Sequence, residues 1–228
     1  MGVVETIALT MGIAWASGIN LYAAVLTLGL LGATDAMALP PGLEILTHPA
    51  VLAAAGFMYL TEFFADKIPG VDTGWDALHT FVRIPAGAVL AAQAIGDVSP
   101  AAELMALLLG GGVAATSHAA KAGTRMLINT SPEPFSNWTA SVAEDVAVVG
   151  GLWAALYHPE LFVALLLLFL VLVAWLLPKI WRGIKAVVAA VRRRLEGTPA
   201  GQPYAPAEAP GGRFRLAPGS ADGRQAHR

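Results

Sequence analysis

Glu62 and Asp66 stand four residues apart in one apolar run, and His79 and Arg83 repeat that spacing in the next. Asp72 and Asp76 continue the His79–Arg83 stripe backward, and His118, Lys121 and Arg125 fall at helical spacing in a third run. Glu144 and Asp145 open a fourth. Side chains three or four apart share a helix face. Ionisable groups in membrane helices are costly, so they turn toward a cavity or toward one another. Counted at ~1.5 Å per residue from the helix ends, these groups lie up to ~10 Å deep. Their signs suit mutual pairing, Arg83 with Glu144 and Glu62 with Lys121 or Arg125. Two readings follow. One is a polar vestibule for a solute or ion, lined by Glu62, Asp66, Asp72, Asp76, His79, Arg83, His118, Lys121, Arg125 and Glu144. The other is interhelical glue without a ligand.

Other chemistry has less to stand on. Asp72, Asp76 and His79 share a face and offer oxygen and imidazole donors to a divalent metal. Their spacing matches no metal motif, and neither a metal nor another cofactor is expected. There are no cysteines, which removes disulfides, thiolate sites and cysteine nucleophiles. No nucleophile elbow, phosphate-binding loop or dinucleotide signature occurs. An enzyme is therefore not expected. The one enzymatic reading left is an intramembrane reaction on a lipid phosphate, using Asp72, Asp76, His79 and the basic groups. Gly110-Gly111-Gly112 reads as a close-packing site.

The elements that must hold these groups are apolar. Of 228 residues, 56% are hydrophobic and 13% charged, with a mean hydropathy of +0.63. Soluble domains carry about 25% charged residues, so lipid is the solvent this composition suits. Six apolar segments stand out, at about 3–32, 49–66, 76–95, 100–126, 137–157 and 159–177. Pro49, Pro100 and Pro159 each open one of them, in the first turn where a missing N–H costs nothing. In the turn before the third, Thr73 and Asp76 have capping-box spacing and predict a helix start there. The expected fold is all-α, a polytopic transmembrane bundle of about six spans over residues 1–180. Segments two and three resemble four and five in plan, which suggests a hairpin repeat. Segment one would be ~45 Å long against a ~30 Å hydrocarbon core. It either tilts or breaks at Ser17, Gly18 and Asn20, where freed backbone groups would face a cavity. Residues 181–196 read as a basic amphipathic juxtamembrane helix. Residues 197–228, rich in Pro and Gly, read as a disordered tail.

The fourteen Lys and Arg lie in or beside two internal polar turns, or after segment six. The remaining connections carry Asp35, Glu44, Asp97, Glu103 and Glu160 and no cation. The positive-inside rule then places both termini in the cytoplasm. Lys179, Arg182, Lys185, Arg192, Arg193 and Arg194 are expected to meet an anionic lipid leaflet. Nucleic acid is not an expected partner, while a small solute or ion and a second copy of the chain are. The stretch from Phe64 to Asp76, with Leu78-His79 and Arg83-Ile84-Pro85-Ala86-Gly87-Ala88 after it, resembles a bacterial multi-pass membrane family. That family is catalogued as domain of unknown function 4126. The resemblance covers roughly residues 1–180 and implies an inner-membrane protein without implying an activity. The functional expectation is a small transporter or channel-like protein with a charged cytoplasmic vestibule, the alternative being a non-catalytic scaffold or accessory subunit. Reporter fusions after Asp35, Asp97 and Tyr157 should read outside, and those after Gly70, Asn129 and Gly197 inside. An outer connection that reads inside contradicts six spans.

Overall fold

The computed structural model describes residues 2–68, 70–129 and 134–195. Six α-helices account for most of them: α1 Val3–Ala33, α2 Pro49–Ala65, α3 Val71–Ala94, α4 Pro100–Ile128, α5 Pro134–Tyr157 and α6 Pro159–Leu195. A short 3-10 helix, Pro41–Thr47, precedes α2, and there is no strand among the described residues. The proline-led starts are capped in the ordinary way. His48 Nδ1 accepts from the Ala50 N–H at 3.2 Å, and Ser99 Oγ accepts from the Ala102 N–H at 3.3 Å. The compact unit is Met1–Ala190, and Val191–Arg228 is a separate unit whose residues 191–195 are helical. The expected tail at 197–228 lies outside the described residues.

α1 is the inner helix. Two thirds (67%) of its apolar window is buried, against 17% for α6, and α1 packs on α2, α3, α4 and α5. Leu9, Ile13 and Leu28 of α1 meet Leu43 of the short helix and Val148 and Leu152 of α5 in the main apolar core. Phe162 and Leu166 of α6 join Ala8, Ala154 and Ala155 in a second. Large apolar side chains also face outward, among them Phe57, Phe81, Leu108, Val146 and Val171. Contiguous apolar surface of that kind marks contact with lipid or another apolar partner.

Four helices, α1, α4, α5 and α6, are long and apolar enough to cross a membrane. A fifth span is reached if the short helix and α2, bent by 69°, count as one. The expected six is thus not met by length and apolarity, because α3 carries Asp72, Asp76, His79 and Arg83 within its 24 residues. Nor does packing concentrate within the expected hairpins; α3 packs most extensively on α4. α1 breaks at a single residue. Asn20 is extended (φ −146°, ψ 96°), while Ser17 and Gly18 stay helical. The Asn20 Oδ1 accepts from the Ala23 N–H at 2.9 Å, the side-chain bond of an N-cap, so α1 is two helices end to end.

Two further boundaries differ from expectation. α3 begins at Val71 rather than at a Thr73 cap, because Gly70 turns the chain at φ 86° and Asp72 Oδ1 takes the Gly70 N–H at 2.9 Å. α6 runs unbroken through Pro178 to Leu195, where a separate helix over 181–196 was expected. Proline removes one N–H from the ladder, and the helix-forming residues on either side sustain the rest.

Helix approach is set by small residues. A Cβ on Gly18 would run into Ser117 Oγ and the Ala114 backbone of α4. One on Gly87 would meet the Ala114 and Ser17 Cβ atoms, and one on Gly110 the Ala91 Cβ. Gly112, by contrast, faces open space. Overpacking of such contacts costs about 1–3 kcal/mol. Gly18→Val should therefore lower the melting temperature of the detergent-solubilised protein by several degrees, while Gly112→Val leaves it within error. Equal effects would contradict the packing.

Candidate functional site

The helical spacings bring charged groups from several elements to a common point. Lys121 Nζ of α4 lies 3.2 Å from Glu62 Oε1 of α2 and 3.0 Å from Asp66 Oδ2 just after it. It lies 3.4 Å from Glu144 Oε2 of α5 and 3.7 Å from Asp76 Oδ1 of α3. Arg83 places Nη2 2.6 Å from Glu62 Oε1 and Nη1 2.9 Å from Asp76 Oδ1. Arg125 grips Glu144 with two parallel bonds, Nε to Oε1 at 3.0 Å and Nη2 to Oε2 at 2.8 Å. Its Nη1 donates to the Asp66 and Asn137 carbonyls, both at 3.1 Å, and its Nη2 lies 3.4 Å from Asp66 Oδ2. A planar fork with five donors suits this multiple role, which an ammonium could not fill.

The cluster is sealed. The side chains of Arg83, Arg125 and Glu62 are wholly inaccessible, and Glu144, at 18%, is the most exposed of its four acids. Removing one partner of a buried pair costs about 3–5 kcal/mol, because the survivor is left charged in an apolar interior. Glu144 and Lys121 do reach a groove of about 300 Å³, which Ile19, Ser117, Thr124 and Phe169 also line.

A second ring of polar groups surrounds the ions. Arg83 Nη1 points at His118 Nδ1 at 3.4 Å, and arginine only donates, so this nitrogen accepts. His118 Nε2 then donates to Thr80 Oγ1 at 2.8 Å, whose own proton goes to the Asp76 carbonyl at 3.0 Å. His118 is therefore neutral. His79 uses both ring nitrogens, Nδ1 to the Trp75 carbonyl at 2.9 Å and Nε2 with the Tyr22 hydroxyl at 3.0 Å, and stacks on Trp75. Asp72 is held apart from the cluster by Asn129 Nδ2, 2.7 and 2.8 Å from its two oxygens. Asp145 accepts from Asn20 Nδ2 and from Tyr59 Oη, each at 3.0 Å, which ties the break in α1 to α5 and α2. Lys67 lies over the Phe63 ring and donates to the Phe63 carbonyl at 2.9 Å. Burial pushes its ammonium below the usual lysine range, against the pull of Asp145 and Asp66.

Of the expected residues, Glu62, Asp66, Asp76, Arg83, Lys121, Arg125 and Glu144 share one ion-pair network, with His118 against it. Asp72 and His79 sit beside it in separate bonds. Of the expected pairs, Glu62 does meet Lys121, while Arg83–Glu144 does not form among the described residues; Arg83 takes Glu62 and Asp76, and Glu144 goes to Arg125 and Lys121. Asp72, Asp76 and His79 do not converge, and no group of three His, Cys, Asp or Glu fit for a metal occurs among the described residues. Tyr22, Tyr59, Thr80, Asn129 and Asn137 were not foreseen. Their only sequence signal is a hydrogen-bonding side chain in or beside an apolar run.

Several helices long and apolar enough to span a membrane, with a buried ionic cluster between α2, α3, α4 and α5, mark a helical membrane protein. The chain belongs to the family described as a domain of unknown function (DUF4126), whose model matches residues 7–179. No curated protein and no solved structure matches it.

Proposed function

We propose that the chain is a small transporter or channel-like protein of the bacterial inner membrane, and that the ionic cluster is the site past which a small solute or ion moves. The observation that carries this reading is the groove at Lys121 and Glu144, which brings an opening to charges otherwise sealed between helices. The break in α1 supports it. Asn20 interrupts the helix beside Asp145, and broken helices at the depth of a polar site are how transporters expose backbone dipoles to cargo. In this topology α3 is the sixth span, its charges met by partners on α2 and α4, and both termini are cytoplasmic. The basic end of α6, including Lys179, Arg182 and Lys185, rests on the anionic leaflet.

The scaffold reading has its own support, since Arg83, Lys121 and Arg125 are each engaged by carboxylates without any ligand. The same engagement disfavours a lipid-phosphate enzyme, which would need those cations free. Flux separates the first two. Proteoliposomes of the full chain should pass protons, alkali cations or a small anion above the rate of empty vesicles. Lys121→Met protein that reconstitutes equally well should lose most of that flux. Wild-type vesicles no leakier than empty ones for every species tried would move the assignment to the scaffold.

A further inference from the structure

The cluster does not balance. Glu62, Asp66, Asp76 and Glu144 are four carboxylates, and Arg83, Lys121 and Arg125 are three cations, an excess of one negative charge. An unbalanced charge away from water is far costlier than an unmet hydrogen bond, and such sites neutralise themselves by taking up a proton. Neighbouring elements do not supply the missing cation. His118 on α4 is neutral, because Arg83 donates to its Nδ1. His79 on α3 stands outside the ion-pair network, its Nδ1 on the Trp75 carbonyl and its Nε2 sharing a hydrogen bond with the Tyr22 hydroxyl. Lys67 has no carboxylate within 4.0 Å among the described residues, and it is pulled by both Asp145 and Asp66, so counting Lys67 together with Asp145 leaves the excess at one negative charge. Among the described residues Asp145 accepts hydrogen bonds from the neutral donors Asn20 and Tyr59, and Asp72 from Asn129 and backbone N–H groups.

A second observation shows where a proton has room. Glu62 receives both Arg83 and Lys121 on Oε1, Asp66 receives Lys121 and Arg125 on Oδ2, and Asp76 receives Arg83 on Oδ1. The other oxygen of each, Glu62 Oε2, Asp66 Oδ1 and Asp76 Oδ2, is buried without a hydrogen-bond partner. Water can satisfy a lone pair but cannot cancel a charge. We infer that the cluster is a proton-binding site, holding one proton on the free carboxylate oxygens of Glu62, Asp66 and Asp76. The step is simple acid–base chemistry: the proton comes from water, forms one O–H bond, and returns to water when the cluster opens. This deepens the transport reading by naming the proton as the ion held at the cluster.

Infrared spectroscopy of the full chain in detergent reads the proton without any flux, so either claim can fail while the other stands. At neutral pH, in sodium-free buffer, the wild type should show one carboxylic-acid C=O band that shifts in deuterium oxide. Glu62→Gln, Asp66→Asn and Asp76→Asn each leave three acids for three cations, so each variant that still elutes as a single folded species should lose the band. Asp97→Asn, at an exposed position, should keep it. The wild-type spectrum alone decides if none of the three folds. No band in the wild type, whether because His79 carries the extra charge or because nothing does, overturns the inference. So does a band that survives in any folded cluster variant, or one that sodium abolishes, which would make a metal cation the resident counter-charge.

Discussion

One ammonium group organises this molecule. Lys121 Nζ has carboxylates from α2 and its C-terminal cap, α3 and α5 within 3.7 Å, so three separate stretches of chain are held to one point on α4. In water each of these contacts would be worth little, because solvent screens exposed pairs. Out of water the sign of the argument changes. The attraction strengthens as the dielectric falls, but each charge has already lost its hydration, and only a full set of partners offsets that loss. Arg83 and Arg125 complete the set on either side. Their forked donors reach oxygens that a lysine at the same position would leave unmet.

Such a cluster demands close helices, and the sequence meets that demand with glycine and alanine. Gly18 lets α1 lie against the backbone of α4 at Ala114, and Gly87 and Gly110 do the same between α3 and its neighbours. Small residues bring backbones together in membranes, where apolar side chains gain nothing by leaving lipid. The same approach brings the Asn20 break within reach of Asp145, and Asp145 within reach of Tyr59. Packing and polarity are thus two sides of one arrangement. Larger residues at these glycines would open gaps that the ion pairs could not bridge.

Much of this was legible from residue spacing. The helix ends at Pro49, Pro100 and Pro159, the polar stripe Asp76–Arg83 and the basic stripe His118–Arg125 all follow from period and proline chemistry. What spacing does not carry is the rotation of each helix about its own axis. Arg83 therefore turns back to Asp76, seven residues earlier on its own helix, and across to Glu62, instead of to Glu144. Asn20 showed as a polar intruder in an apolar run, but its role as a cap depended on the Ala23 N–H, which a straight helix would also have satisfied. The turn of 3-10 helix at Pro41–Thr47 is too short for periodicity to register. α6 was expected to stop at Pro178, and local propensity on both sides overrode a single missing donor.

The central claim is that these ions stabilise one another and would be costly if left single. A double-mutant cycle on Arg83 and Glu62, read as the unfolding free energy of the purified protein, tests it most directly. Arg83→Met should destabilise strongly, by about 3–5 kcal/mol, since it leaves Glu62 and Asp76 short of a cation, whereas Glu62→Gln should cost less, since Arg83 keeps Asp76 and Lys121 keeps Asp66 and Glu144. The double variant should lose less than the sum, by more than ~1 kcal/mol, because Glu62→Gln removes part of the negative charge that Arg83→Met leaves uncompensated. Losses that add to within about 0.5 kcal/mol would mean that the two side chains do not share a site, and would contradict the account.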